Sequence, residues 1–180
     1  MRDIVDLRID FIVQNTTDPG TLQCHDNDGW GPSKADPAGQ EGIQDCLLDR
    51  YQLCARAREG AAAPGSDWFD FTACVYKNQK AMDTLHDNMK AFNLTVGYCA
   101  ALTGQSYPAL KKCAEGPRGL ELLAASHGVD VALNKHTYKP PANFHTPDWI
   151  LVNGVDKMGE NVTFLEAICS AYSGPKPKGC

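Results

Sequence analysis

The 180-residue sequence predicts an α/β domain held together by disulfides. Three observations predict it. An alternating strand opens the chain, a strand–hairpin–helix unit closes it, and eight cysteines are scattered between helical and polar stretches. A chain of this length buries about 70% of its unfolded surface, enough for a sizeable core. The apolar fraction of 43% and charged fraction of 22% are ordinary for a globular domain.

The opening strand is read over Ile4 to Val13, where Val5, Leu7, Ile9 and Phe11 alternate with Asp6, Arg8 and Asp10. Positions 14–43 follow as a long loop insertion, rich in Gly, Pro, Asp and Asn, with Cys24 and Trp30 as its anchors. Gln44 to Ala57 is expected to be helical. Positions 59–66 form a small-residue linker of low complexity.

A helical insertion is expected over 67–128. In it Met82, Leu85, Met89 and Phe92 share one face, read as core packing. Ser106-Tyr107-Pro108 starts a short helix ending at Gly116, with proline in the first turn, where its missing N–H costs nothing. Gly119 to His127 reads as a further helix closed by Gly128.

The closing half spans 149–172. Trp149 to Val152 is a strand, and Asn153-Gly154 supplies the two positive φ angles of a type I′ hairpin. Thr163 and Glu166 form a capping box for a helix whose buried face is expected at Phe164, Leu165, Ile168, Cys169 and Tyr172. The tail from Pro175 to Gly179 cannot continue that helix, so Cys180 is expected to be tied down by a disulfide. This order of elements is that of a thioredoxin-like domain.

The cysteines carry the compositional signal. Cys24, Cys46, Cys54, Cys74, Cys99, Cys113, Cys169 and Cys180 form an even set without zinc-finger spacing, read as disulfides of an oxidising compartment. Eight cysteines allow 105 pairings, and the sequence does not choose among them. Cys46 and Cys54 exclude each other: on one helix their Cα atoms stand about 12 Å apart, beyond the reach of a disulfide. Three sequons, at Asn15, Asn93 and Asn161, agree with a secretory route. Met1-Arg2-Asp3 leads into the strand without a signal peptide, so either a leader and more is expected to have been removed or omitted, or Met1 is an internal methionine.

Other chemistry is thin. Net charge is −5 without a basic cluster, which excludes nucleic-acid binding, and no apolar run approaches a membrane span. His25, Asp26 and Asp28 read as a solvated acidic loop rather than metal ligands. His136 and His145 read as surface residues. No cofactor, metal or catalytic residue is predicted.

Two stretches carry a family resemblance. Asp45-Cys46-Leu47-Leu48-Asp49-Arg50-Tyr51-Gln52-Leu53-Cys54 resembles the second half of the signature of the gamma-interferon-inducible lysosomal thiol reductase family, with Asp45 in place of its Glu and Asp49 in place of its Asn. Cys113-Ala114-Glu115-Gly116-Pro117-Arg118-Gly119 looks like that family's Cys-Ala-x-Gly-x-x-Gly run. Trp149 to Gly154, Ala167 to Tyr172 and the opening Asp3 to Arg8 also match it.

The resemblance implies a lumenal or lysosomal glycoprotein that reduces protein disulfides through a Cys-x-x-Cys facing a cis-proline. It implies a thioredoxin-like α/β fold with a helical insertion, here with the first, central strand and the Cys-x-x-Cys helix missing. No Cys-x-x-Cys occurs in the 180 residues. Cys24-His25 keeps only the start of the family's Cys-Gln-His-Gly run, and Phe11 to Asn15 replaces its Pro-Tyr-Gly-Asn-Ala. Pro147 is the cis-proline candidate, one residue before the expected position, which Asp148 holds. Without the central strand a gap is expected in the sheet, with backbone groups left unpaired. The expected function is that of a non-catalytic structural or binding subunit of a larger protein assembly, in the secretory lumen, a lysosome-like compartment or outside the cell. The alternative is a fragment of a thiol reductase whose Cys-x-x-Cys is encoded upstream.

Overall fold

The computed structural model describes residues 8–11, 13–15, 22–26, 29–30, 40–59, 67–83, 89–134, 151–157 and 163–180. Most of these are helical. In chain order they form β1 (Val13–Asn15), β2 (Leu22–Asp26), β3 (Gly29–Trp30), α1 (Gln40–Glu59), α2 (Asp67–Asp83), α3 (Met89–Leu102), α4 (Tyr107–Ala114), α5 (Pro117–Asn134), β4 (Leu151–Val152), β5 (Val155–Asp156) and α6 (Phe164–Ala171).

Helix α1 is the hub. Tyr51, Gln52, Leu53, Cys54 and Ala55 are five consecutive buried residues, which on a helix means burial on every side. Helices α2, α4 and α5 and strand β2 all pack against it. One side of α1 gives Leu47, Leu48, Tyr51, Cys54 and Ala55 to a core shared with Phe71 and Val75 of α2, Phe92 and Val96 of α3 and Leu110 of α4. The other side gives Leu53 to a smaller cluster with Phe11 and Leu123 of α5. Arg56 and Arg58 in the last turn of α1 oppose the negative end of its dipole.

The strands are short. β1, β2 and β3 make an antiparallel meander, with Val13 opposite Cys24 and His25 opposite Trp30. β4 and β5 make a separate hairpin, with Val152 opposite Val155. Its turn has the expected geometry: Asn153 has φ 51° and Gly154 has φ 78°. Helix α6 packs on β4. The described strands form these two small sheets; a thioredoxin-like sheet is not among them.

Several expectations are corrected. Residues 8–11 of the expected opening strand have no strand pairing, and the strand starts only at Val13. The physical reason is that side chains of α1 and α5 take up the backbone groups of Ile9 and Phe11 before another strand can. The expected loop of 14–43 contains β2 and β3, and α1 starts inside it at Gln40. The alternation Leu22-Gln23-Cys24-His25 was the signal for β2, obscured by its Gly- and Pro-rich surroundings. The helix expected to stop at Gly128 runs on to Asn134. Gly128 does not adopt positive φ, so it does not cap, and packing of α5 on α1 and α4 outweighs its poor propensity. The region 67–92 holds two helices, with Met82 in α2 and Met89 and Phe92 in α3; Leu85 lies outside the described residues.

In α6 the buried residues are Ala167 and Cys169, while Phe164 and Leu165 are exposed. In this short helix the small side chains take the buried positions, and the two large apolar ones at its start are exposed. The capping box is present: the Thr163 hydroxyl accepts from the Glu166 N–H at 3.2 Å, and Glu166 accepts from the Thr163 N–H at 2.7 Å.

Two glycines of α5 give a paired prediction. A Cβ on Gly119 would stand 2.6 Å from the Ala114 carbonyl oxygen and 2.8 Å from that of Cys113, whereas one on Gly128 would meet nothing within 4 Å. Gly119→Ala is expected to destabilise by about 1–3 kcal/mol in denaturant unfolding, and Gly128→Ala to stabilise by about 0.5–1 kcal/mol.

The α6 cap predicts a pH dependence. Hydrogen bonds from the Thr163 backbone and hydroxyl hold the exposed Glu166 carboxyl below its ordinary range. Its contribution is therefore complete above the unfolded carboxylate pKa and lost as pH falls through the lower folded value. Amide exchange protection at Ala167 is expected to fall over that acid range, and to be flat there in Glu166→Gln.

Candidate functional site

Two of the disulfides lie where α1 to α4 meet. Cys54, fully buried on α1, is bonded to Cys113 on α4, with Cα atoms 6.0 Å apart. Cys74 on α2 is bonded to Cys99 on α3 at a Cα separation of 5.6 Å. Cys169 on α6 is bonded to Cys180 in the tail at 5.4 Å. Cys46 is disulfide-bonded as well. No described cysteine is free. Each described bond thus fastens one helix to another segment, and Cys46 and Cys54 do not pair with each other.

Between the two helix–helix staples lies an aromatic and amide cluster. The Tyr51 ring stacks on Tyr107 at the start of α4, centroids 6.3 Å apart and planes within 8°, and tilts against Phe92 at 6.0 Å. The Tyr107 hydroxyl donates to the Asn93 side-chain oxygen at 3.1 Å. The buried Tyr51 hydroxyl has no hydrogen-bond partner among the described residues. Burial, then the Tyr107 phenol and Glu115, push its pKa well above the ordinary value, so it stays a neutral phenol. Such a group cannot serve as a base near neutral pH. Nearby, the Asn78 amide donates to the Cys74 carbonyl at 2.8 Å and lies 3.7 Å and 4.0 Å from the Cys74 and Cys99 sulfurs.

On the far side of α1 the segment 8–11 is strapped down. The Phe11 N–H donates to the Ser126 hydroxyl at 2.7 Å, and that hydroxyl donates back to the Phe11 carbonyl at 3.3 Å. The Arg56 guanidinium donates to the Ile9 carbonyl and reaches Asp10 at 3.3 Å. Arg8 pairs with Asp10 as well. Ser126 and Arg56 are residues the sequence reading missed. A lone serine on an apolar helix carries no local mark of its role.

The remaining candidates divide by position. The backbone of Cys24 lies in β2 and that of Asn15 in β1, with their side chains outside the described residues. Asn93 lies on α3, half-buried beside Tyr107. Asn161, Pro147, His136 and His145 lie outside the described residues, as does the linker 60–66. Of the acidic loop, His25 and Asp26 belong to β2, and Asp28 is outside. Among the described residues no three His, Cys, Asp or Glu side chains cluster as metal ligands, and no helix is long and apolar enough to cross a membrane.

The staples differ in the loops they close, with sequence separations of 59, 25 and 11 residues for Cys54–Cys113, Cys74–Cys99 and Cys169–Cys180. Paired replacement by serine is expected to cost about 4, 3.5 and 3 kcal/mol in that order, read from denaturant midpoints. Ser126→Ala is expected to cost about 1–3 kcal/mol, because it strands two buried backbone groups of Phe11 at once. Compared with protein families, curated proteins and solved structures, the chain matches none.

Proposed function

We propose that this chain is a non-catalytic, thioredoxin-related glycoprotein of the gamma-interferon-inducible lysosomal thiol reductase type. It works in an oxidising lumenal or extracellular space as a structural or binding subunit of a larger protein assembly. The observation that carries this reading is the use made of the sulfurs: Cys54–Cys113 and Cys74–Cys99 tie helix to helix inside the core. Disulfides so placed belong to compartments that do not reduce them. Thiol–disulfide exchange instead needs an accessible thiolate with a resolving thiol beside it, and the 180 residues contain no Cys-x-x-Cys. The closing β4–β5 hairpin followed by α6 supports the thioredoxin-related part of the reading.

A second reading makes the chain part of a thiol reductase whose Cys-x-x-Cys is encoded upstream. The same hairpin–helix unit supports it, and reading the gene in frame upstream of Met1 separates the two. For the chain itself, thiol titration under denaturing, non-reducing conditions is expected to find no reactive thiol at the seven bonded cysteines. Insulin reduction is expected to stay at the rate of the reductant alone. Catalysed reduction by the 180-residue chain would overturn the non-catalytic assignment.

A further inference from the structure

The closing unit stands apart from the helical core. Among the described residues α6 packs on β4 and β4 pairs with β5, whereas α1 to α5 and β1 to β3 pack among one another. Val152, Ala167 and Cys169 are buried, yet none of them belongs to either cluster of the core. A unit with so little apolar burial has a small hydrophobic driving force of its own. Segments below about 40 residues rarely hold a fold without a disulfide, a metal or a partner. Its helix, Phe164–Ala171, is also too short to persist by itself.

Two devices hold this unit. The capping box of Thr163 and Glu166 closes the start of α6. At the other end Cys169, in the last turn, is bonded to Cys180. The tail between them folds back, with the Tyr172 ring over Gly174 and the Cys180 N–H donating to the Pro177 carbonyl at 2.9 Å. The described disulfides also differ in access. Each core bond has one fully buried cysteine, Cys54 or Cys99, and its partner, half-buried Cys113 or buried Cys74, packs in the same cluster. Cys180 is exposed, and exposed disulfides are the labile ones.

We propose that Cys169–Cys180 is a redox latch, whose reduction melts β4, β5 and α6 while the helical core keeps its fold. A dithiol reductant supplies the two electrons. One of its thiolates attacks the Cys180 sulfur, the bond to Cys169 breaks, and Cys169 leaves as a thiolate and takes up a proton. The second thiolate of the reductant attacks the mixed disulfide, freeing the Cys180 sulfur, which is protonated in turn, and the reductant departs as a cyclic disulfide. With the loop open, the tail regains its chain entropy and the last turn of α6 loses its tether. The inference goes beyond the function proposed above and is independent of it, since it needs only that the three described bonds form.

The test titrates the oxidised full chain with dithiothreitol at neutral pH. Isotope-labelled iodoacetamide and peptide mapping read which bonds open, and amide exchange is followed at each step. Cys169 and Cys180 are expected to label at on the order of tenfold less reductant than Cys54, Cys113, Cys74 and Cys99. At that step the amides of α6 are expected to exchange about a hundredfold faster, while those of α1 and α5 keep their protection, and reoxidation is expected to restore α6. The double variant Cys169→Ala, Cys180→Ser is expected to show the open α6 and the protected α1 without any reductant. Opening of the core bonds at the same reductant level overturns the proposal, as does unchanged protection of α6 once Cys169 and Cys180 are labelled. Loss of α1 protection together with that of α6, in the reduced chain or in the double variant, overturns it as well, because the two parts then melt as one.

Discussion

Burial of the middle of α1 on all its sides is the constraint from which the rest of the described structure follows. A helix stretch buried all round needs neighbours around its whole circumference, and here α2, α4, α5 and β2 supply them. Five consecutive buried residues, Tyr51 to Ala55, cannot be satisfied by a single amphipathic contact. The Cys54–Cys113 bond lies inside this packing, joining the hub to α4 across 59 residues of chain. Cys74–Cys99 repeats the arrangement one layer out, between α2 and α3. The sulfurs of these two bonds are thus part of the packing, and their reduction would loosen the core.

The segment 8–11 shows how a short piece of extended chain is held without a neighbouring strand. Buried backbone groups need partners, and here side chains provide them: Ser126 bonds both polar groups of Phe11, and Arg56 takes the Ile9 carbonyl. The apolar Phe11 side chain meanwhile joins Leu53 and Leu123. The alternation in the sequence is therefore real, but it encodes a strap in the groove between α1 and α5. Arg56 and Asp10 form their ion pair partly buried, where it fixes position more than it adds stability.

Against this anchored interior, Leu94, Tyr98 and Leu102 of α3 belong to the surface, whereas Asn93 is half-buried. Tyr107 links Asn93 to the core, since its ring stacks on Tyr51 while its hydroxyl holds the Asn93 side chain. A single tyrosine at the start of α4 thereby connects the buried hub to the sequon.

Sequence alone determined those features whose causes are local. The I′ hairpin at Asn153-Gly154 follows from two residues tolerant of positive φ, the α6 capping box from Thr163 and Glu166, and the start of α4 from Pro108; all three are present. It also determined that Cys46 and Cys54 could not bond, because helix rise sets their separation. What it misjudged depends on distant partners. Gly128 stays helical because α5 is packed, residues 8–11 leave the ladder because Ser126, 115 residues away, bonds both backbone groups of Phe11, and Phe164 is exposed while Ala167 and Cys169 take the buried positions of α6. Which cysteine met which was likewise decided only by tertiary structure. Disulfide choice depends on which Cα atoms the packed helices bring within bonding distance, and no spacing along the chain carries that information.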